Sequence, residues 1–498
     1  MYSSNDYEGI SHMTFTVDRR TFMGNSAISA LHLFVLGCHR SKETGATSPE
    51  VAGLKSAVTQ PASGAVVGLG TFADSDLPVV TVGDFKYMVI QRGGSTLSDG
   101  HILGAQPDGM ACFQDEQGRY VLLRNQELGA RRLLVKYGLN DALFKDGKRP
   151  EGSYNDVMFG GVTRVVLDPA KLAKDFNGQA GSLSTAVIES QYVLLGTDRN
   201  CAGGEFENQW ITCEESSEPG HGYAFITHRD DSTLVKPRRI DSWGRLHREA
   251  VSVHKGTGIT YMTEDRRDGC FYRFVPTNPN DPFGKGSLQA LKIAGVKTTD
   301  PYPDPKDGVP VKSIFNPNQS WDVSWVVIDD PSAEKMPCRT QGQHKGATMF
   351  NRCEGITQDS AGIWFTASLG GPAKGGQIFQ LAHTEGDQPQ QLNLKYEVTD
   401  RSQLSCPDNL TVAPWGELVL AEDNYARSAD VSTQFVRCMK EDGTIYPLLK
   451  INESLVSGKR AGPEFTGACF SPDGKYFFVN CQSPLNITIA VTGPWPKA

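Results

Sequence analysis

The sequence predicts an all-β protein, a six-bladed β-propeller with inserted loops and short helices. Three observations predict this fold class. Apolar residues rarely recur at helical spacing, and short segments rich in β-branched and aromatic residues recur after turns instead. The chain is also rich in turn formers, with 52 glycines and 28 prolines among 498 residues. Short strands joined by many turns are typical of all-β proteins.

The recurring unit is a turn residue, usually glycine, followed by four or five residues that favour a strand. Its copies are 118–124, 208–214, 258–264, 362–368, 416–422 and 474–480. The residue six positions after each turn is polar, namely Arg124, Glu214, Glu264, Ser368, Glu422 and Asn480. Because the turns are unevenly spaced, we expect insertions at 215–251 and 277–337. A buried sheet that presents polar groups at one rim fits this pattern.

A second set of polar residues lies about eight to ten positions before the turns. It comprises Asp108, Glu249, Glu354, Asp408 and Glu464, with Asn200 and Cys201 near the equivalent place of the remaining copy. In a hairpin, the start of one strand and the end of the next lie at the same edge. Both sets therefore meet at one rim, and repetition around an axis predicts a carboxylate-lined funnel. The alternative is that these acids only cap turns.

Several carboxylates that converge in a funnel cannot all stay ionised without cations. Oxygen ligands alone select calcium or magnesium, whereas a thiolate among them draws a softer or more Lewis-acidic ion. Cys201, in the glycine-rich segment 200–204, offers such a thiolate, although a buried or disulfide-bonded cysteine is the alternative. The candidate metal ligands are Cys201, Glu214, Glu249, Glu264, Glu354, Asp408, Glu422 and Glu464.

Basic and amide side chains near these acids are the candidate catalytic residues. Arg352 and Glu354 are two residues apart, hence on the same side of a strand. An arginine beside a metal cluster suits a phosphate oxyanion, because its fork binds two oxygens; a structural salt bridge is the alternative. Asn125 and Glu127 add donors and acceptors, or else form a solvated strand end.

The amino-terminal segment predicts export. Residues 1–38 carry a twin-arginine pattern at Arg19 and Arg20, then a short apolar run that ends in a lipobox-like sequence at Cys38. Cys38 is either lipidated or a chance cysteine after a plain signal peptide. We expect a tether over 39–75, a single catalytic propeller domain over 76–498, and a periplasmic or extracellular protein, anchored to the membrane if Cys38 is lipidated.

Charge and hydropathy indicate which classes of partner to expect. The formal net charge is −8 and basic runs are absent from the sequence, which makes nucleic acid an unsuitable partner. Apolar stretches fall short of the roughly 18 residues that a membrane-spanning helix requires. We expect a monomer whose membrane contact is limited to an anchor at Cys38.

Long motifs span nearly all of the chain after residue 80. They are PDGMACF (107–113), RNQEL (124–128), NCAGG (200–204), WITCEE (210–215), REAVSV (248–253), TEDRRDGCFYRFVP (263–276), EGITQDSAGIWFT (354–366), GGQIFQL (375–381), CPDNLTVAPWGELVLAEDN (406–424), EFTGACFSPDGKYFFVN (464–480) and TGPW (492–495). These motifs resemble the PhoX-type alkaline phosphatases, a family of exported bacterial enzymes. The segment 205–209 departs from the family pattern, which indicates an altered pocket wall.

The resemblance implies a six-bladed propeller with a cluster of iron, as Fe(III), and calcium, Ca2+. It further implies a thiolate ligand at Cys201, carboxylate ligands at Glu249, Glu354 and one of Asp408, Glu422 or Glu464, and a phosphate-binding Arg352. The expected activity is phosphomonoester hydrolysis, with small phosphate esters as substrates.

Two alternatives stay open. One is a calcium-dependent propeller hydrolase of another class, such as a lactonase or a phosphodiesterase. The other is a non-catalytic binding propeller in which bound metals only stabilise the structure.

Overall fold

Short antiparallel strands between tight turns make up most of the computed structural model, which describes residues 69–130, 143–304, 312–316, 318–383, 390–423, 433–452, 455 and 463–497. Two short helices, α1 (Pro169–Asp175) and α2 (Cys338–His344), and a 3-10 turn (Lys145–Gly147) accompany the strands. Neither α-helix in these ranges is long and apolar enough to cross a membrane. The predicted all-β class, with short helices, is confirmed.

The predicted signal segment 1–38 and the tether as far as residue 68 lie outside the described residues. The last part of the predicted tether, 69–75, contacts the fold. Phe72 forms a bridge with Val82, and Leu69 and Phe72 pack against a buried apolar cluster.

The strands follow one another along the chain with few interruptions. The first are β1 (Val79–Thr81), β2 (Lys86–Arg92), β3 (Pro107–Gln114), β4 (Tyr120–Gln126), β5 (Gly160–Leu167), β6 (Val187–Thr197), β7 (Asn200–Phe206), β8 (Gln209–Glu214), β9 (Ala224–His228) and β10 (Arg238–Ile240). The next are β11 (Arg248–Val253), β12 (Thr260–Glu264), β13 (Gly269–Cys270), β14 (Tyr272–Pro276), β15 (Gly286–Ile293), β16 (Ser320–Val327) and β17 (Met349–Phe350). The last are β18 (Cys353–Gln358), β19 (Gly362–Ala367), β20 (Gln377–Ala382), β21 (Gln391–Glu397), β22 (Pro407–Val412), β23 (Leu418–Glu422), β24 (Phe435–Met439), β25 (Ile445–Ile451), β26 (Phe465–Phe470), β27 (Phe477–Cys481) and β28 (Ile487–Thr492).

Most strands pair with their chain neighbours. The sheets have the orders β3-β4-β5-β6, β10-β9-β8-β7, β1-β25-β24-β23-β22 and β2-β28-β27-β26, plus the two-stranded β13-β17. A nine-stranded sheet, β11-β12-β14-β15-β16-β21-β20-β19-β18, contains two antiparallel runs that join where β16 pairs with β21. The early strand β2 pairs with β28 from Lys86↔Thr492 to Arg92↔Ile487, so the two ends of the fold share one sheet.

The first strand of each run lies closest to a common axis. Strand β3 contacts β7, β7 contacts β11, β11 contacts β18, β18 contacts β22, β22 contacts β26, and β26 contacts β3 again. Apolar clusters fill the space between neighbouring sheets; one joins Met88 of β2, Met110 of β3 and Phe478 of β27. The sheets therefore have a propeller-like arrangement, as the repeated unit predicts.

Every strand at the axis carries a β-bulge just after its first residues. The registers shift between Pro107/Met110, Asn200/Gly203, Arg248/Val251, Cys353/Ile356, Pro407/Leu410 and Thr466/Cys469. The two residues inside each shift are Asp108-Gly109, Cys201-Ala202, Glu249-Ala250, Glu354-Gly355, Asp408-Asn409 and Gly467-Ala468. A bulge bends its strand and re-aims the side chains within it. Here it presents an acid or a thiol in five of the six strands.

The second residue of each bulge is small, except Asn409, because neighbouring strands approach closely at the axis. A Cβ added to Gly109 would lie 2.6 Å from the Cα of Ala202. A Cβ added to Gly355 would lie 2.4 Å from the carbonyl oxygen of Asp408. Backbone atoms, unlike flexible side chains, cannot move away without shifting a strand.

We expect Gly355→Ala to destabilise the protein by about 1–3 kcal/mol, because the new methyl group overlaps backbone atoms of β22. Chemical denaturation would measure the change. The matched control is Gly178→Ala at an exposed position, where the nearest atom to the new Cβ is the Asp175 carbonyl oxygen at 3.1 Å. Equal effects of the two substitutions would contradict the crowding at the axis.

Candidate metal centre

Acidic side chains and one thiol converge where the bulged strands begin. Three groups have ligand atoms within 4.8 Å of one another: Asp108, Glu127 and Cys201; Glu249, Glu354 and Asp408; and Asp408, Asp423 and Glu464. Asp408 belongs to two of these groups. The groups draw on β3, β4, β7, β11, β18, β22, β23 and β26 or the residues that flank them, so the convergence depends on the whole ring.

Glu249 gives the strongest indication that these donors fit a cation. Its side chain is fully buried, and neither carboxylate oxygen has a hydrogen-bond partner among the described residues. Burial, and then the nearby carboxylates of Glu354 and Asp408, raise the pKa of Glu249 well above its usual value. An ionised carboxylate without donors is very costly in a protein interior. A bound cation would supply the missing partner, so the donor set fits a metal.

The other acids of the three groups share this electrostatic situation. Burial raises the pKa of Asp408 to about 8 and that of Glu127 to about 7, and like charges nearby add to each shift. Burial and neighbouring acids also raise the pKa values of Asp108, Glu354 and Glu464 well above the usual range. Without cations, the protein would hold several of these groups as neutral acids near pH 7.

Cys201 provides the thiol of the first group. Burial, and then the carboxylates of Asp108 and Glu249, raise its pKa well above the usual value, so metal-free Cys201 stays protonated. A metal ion reverses this preference, because it deprotonates a coordinating thiol. Gln482 Nε2 donates to Asp108 Oδ2 at 2.6 Å and to Glu127 Oε2 at 3.1 Å, which holds these two carboxylates in one orientation.

Asn125, which the sequence predicts to be a catalytic residue, holds the segment that carries the thiol. Its Nδ2 donates to the carbonyl oxygens of Cys201 and Ala202 at 2.8 and 2.9 Å. Its Oδ1 accepts a hydrogen bond from Trp210 Nε1 at 2.8 Å. Both ends of the amide are therefore engaged, and the residue positions β7. Glu127, the other predicted catalytic residue of this segment, lies in the first ligand group.

Arg352 lies among three carboxylates, one of which is Glu354, two residues further along the strand. Its guanidinium contacts Glu354 at 2.7 Å, Asp265 at 2.7 Å and Asp423 at 3.7 Å. Burial lowers the pKa of Arg352, but Glu354 and Asp265 outweigh it, and the net pKa is well above the usual range. Its φ of 58° places it at the sharp bend before β18. A fixed cation therefore lies beside the ligand groups.

Three predicted metal ligands lie elsewhere. Glu214 accepts hydrogen bonds from the backbone of Asp198 at 2.9 Å and Gly222 at 2.7 Å. Tyr272 donates to Glu264 at 2.7 Å, and Arg437 pairs with Glu422 at 2.6 Å. Protein donors thus satisfy Glu214, Glu264 and Glu422, and none of them joins the three ligand groups. The other predicted ligands, Cys201, Glu249, Glu354, Asp408 and Glu464, do join them.

The correction has a simple geometric reason. Glu214, Glu264 and Glu422 end their strands, and successive residues of a strand point to opposite faces. The next residue in each case, Glu215, Asp265 or Asp423, is the one that contributes charge near the cluster. The sequence reasoning selected the residue before each of these at the strand ends. It also left Asp108 out of the ligand set, although the acid-then-small pair Asp108-Gly109 matches the other bulges.

Comparisons with known proteins agree with the fold described above. The family model described as alkaline phosphatase PhoX matches residues 71–485. The structure of Pseudomonas fluorescens PhoX in complex with vanadate, a transition state analogue, is similar with a TM-score of 0.61 at 17% identity. That match covers 85% of this chain and 97% of the other. At this identity the likeness concerns the fold.

Other solved structures are more distant. The periplasmic gluconolactonase PpgL of Pseudomonas aeruginosa has a TM-score of 0.38 at 12% identity, over 80% of this chain and 89% of the other. A calcium structure of a Trichoderma reesei member of Carbohydrate-Active Enzymes Family AA12 has a TM-score of 0.38 at 11% identity, over 85% and 99%. No curated protein gives a significant match.

The family match covers far more than half of the sequence and agrees with the resemblance of the motifs. The protein belongs to the alkaline phosphatase PhoX family and is a phosphatase.

Proposed function

We propose that the protein is a phosphomonoesterase, an alkaline phosphatase that releases inorganic phosphate from small organic phosphate esters with an iron and calcium cluster in a propeller funnel. The observation that carries the proposal is the ring of buried and half-buried carboxylates, with one thiol, beside Arg352. Family membership supports phosphate-ester chemistry over the lactonase alternative. It also disfavours a propeller whose metals only brace the fold.

We further infer six blades within a single catalytic domain over 76–498. The axis strands β3, β7, β11, β18, β22 and β26 each begin a run of consecutive antiparallel strands. In this interpretation β16 is an insertion that links the third and fourth blades, and β1 is an extra edge strand of the fifth. The sixth blade combines β26, β27 and β28 with β2.

The donor chemistry divides the ligand groups between two kinds of metal. A thiolate with carboxylates, as in the group of Cys201, Asp108 and Glu127, favours a transition metal such as iron. The oxygen-only groups around Asp408 favour calcium, a hard cation that prefers carboxylates. When bound, such metals supply positive charge and Lewis acidity for the phosphoryl group.

Arg352 would bind the phosphate. Glu354 and Asp265 hold its guanidinium in place before substrate arrives, so little reorganisation is needed at the reacting centre. A planar guanidinium donates to two oxygens of a phosphoryl group and stabilises charge that grows there in the transition state. Burial of Glu354 strengthens these interactions, because charges attract more strongly in a protein interior than in water.

We also propose twin-arginine export to the periplasm or the cell exterior, with a monomeric protein that is anchored by Cys38 if that residue is lipidated. The sequence of residues 1–38 supports this proposal. Mass spectrometry of the mature protein from a native host would identify its first residue. Cleavage immediately before Cys38 with a lipid on its sulfur supports the anchor, whereas cleavage elsewhere contradicts it.

Arg352→Gln should lower phosphatase activity towards p-nitrophenyl phosphate about a hundredfold or more, because it removes a preorganised donor to the transition state. The matched control is Arg437→Gln, which breaks a similar buried ion pair, with Glu422, outside the ligand groups. Activity should be assayed per folded, metal-loaded chain. An Arg352→Gln enzyme with activity near that of the wild type would refute the proposed role.

Cys201→Ser should lower the iron content and the activity strongly while calcium is largely retained, since a serine hydroxyl is a poor substitute for a thiolate. Elemental analysis of the purified protein measures both metals. Cys438→Ser, at a buried cysteine in β24, is the control for a mutation of equal size. Iron-free, fully active wild-type protein would instead favour a calcium-only hydrolase.

The metal-free protein should become less stable as pH rises from about 4 to about 8. Unfolded carboxyls have pKa values near 4, whereas the folded-state pKa of Asp408 and of Glu215 is about 8. The folded chain therefore binds more protons in that window, and its stability falls as they are lost. Denaturation in chelator at several pH values tests this. Rising stability over the same window would contradict the raised pKa values.

A further inference from the structure

A second cavity lies at the end of the sheets away from the acids. It has a volume of about 370 Å³, and nine described residues line it, among them His254, Tyr261, Arg273, Trp325, His383 and Gln390. Glu249 lies near the start of β11, and His254 directly follows its last residue. Five residues of extended strand span about 16 Å. This cavity, which we call the distal pocket, is therefore separate from the candidate metal centre.

Arg273 is a cation without an acidic partner. Its Nε donates to Gln289 Oε1 at 2.8 Å, and its Nη1 contacts Gln390 Oε1 at 3.4 Å. Within the part of the chain that the structure describes, it makes no ion pair, and its Nη2 has no hydrogen-bond partner. None of the nine described residues that line the pocket is acidic. Among the described residues, the charge of Arg273 is therefore not compensated by an acid, in contrast to the carboxylate-rich funnel.

Aromatic rings and one amide hold this guanidinium in place. The guanidinium carbon of Arg273 lies 4.4 Å from the centroid of the Trp325 ring. Trp325 Nε1 donates to Gln390 Oε1 at 3.1 Å, and Gln390 Nε2 donates to the Tyr261 hydroxyl oxygen at 3.2 Å. The Tyr261 proton stays available for a ligand. Because Gln390 links all three side chains, the polar wall of the pocket is preorganised.

Two histidines add flat surface and further polar atoms. The ring centroids of His254 and His383 are 4.8 Å apart. His254 Nδ1 contacts Thr257 Oγ1 at 2.9 Å, and His383 Nε2 contacts the carbonyl oxygen of Asp359 at 3.2 Å, which leaves each ring one nitrogen for a ligand. The positive charge of Arg273 beside the two imidazoles opposes the binding of a metal cation. An anion suits the pocket better.

We propose that the distal pocket binds a small organic oxyanion with a flat ring, in which a phosphate or carboxylate group pairs with Arg273. The ring would lie on the apolar and aromatic wall near Trp325 and Val323. The volume falls in the usual range for small-molecule sites, and an apolar lining with a few convergent polar groups is their usual composition. The proposal does not depend on the chemistry of the funnel.

Isothermal titration calorimetry of the full, metal-loaded chain tests the proposal with two probes, phenylphosphonate and benzoate. We expect at least one probe to bind at a site that Arg273→Gln weakens about tenfold to a hundredfold, the loss expected for a charge-assisted hydrogen bond. Arg352→Gln should leave that site unchanged. Tighter binding of phenylphosphonate identifies a phosphate ligand, and tighter binding of benzoate identifies a carboxylate.

Two further measurements, on the activity of one Arg273 variant and the affinity of another, test the interpretation. Arg273→Gln should keep phosphatase activity within about twofold, given the distance from the funnel. Arg273→Lys keeps the charge but loses the planar fork, so its affinity should fall between those of the wild type and Arg273→Gln. The proposal is overturned if neither probe binds, if only Arg352→Gln weakens binding, or if neutral benzyl alcohol binds as tightly as the anions.

Discussion

Mutual repulsion among buried carboxylates is the constraint on which the centre of this protein depends. Glu249 is fully buried with no described donor to either oxygen, and several further acids lie within a few ångströms of one another. Such a cluster of carboxylates can be protonated and neutral, or it can be ionised around bound cations. It cannot be ionised without cations. Every strand at the axis carries one of these carboxylates or the thiol, or is flanked by one. Cation binding is therefore coupled to the geometry of the ring.

The β-bulges explain how the chain places these groups without giving up its core. In a regular strand, every second side chain after an acid that faces the axis would also face the axis. One extra residue near the start of each axis strand changes locally which side chains face the axis. The remaining residues of the strand then pack with apolar side chains between the sheets. The small residues that follow the acids then allow the strands to approach closely. Ligand presentation and close packing therefore arise from the same irregularity.

Much of this arrangement could be predicted from the sequence, because alternation and repetition are local signals. The all-β class, the acids at strand starts and the pairing of Arg352 with Glu354 follow from spacing alone. The strand ends could not be resolved this way, since a one-residue difference decides whether Glu422 or Asp423 points inwards. The pairs of an acid followed by a small residue were a sequence signal that could have identified Asp108 as a candidate ligand. The distal pocket was beyond prediction, because its side chains come from distant strands whose proximity depends on the tertiary fold.

The shared sheet of β2 and β28 has a consequence for the order of assembly. During translation Asp108 leaves the ribosome long before Glu464, and the strand that closes the ring is made last. A nascent chain, or one truncated before residue 487, leaves β2 without its partner and the first and last ligands without a common axis. The complete ring of ligand groups therefore forms only after β28 has paired with β2.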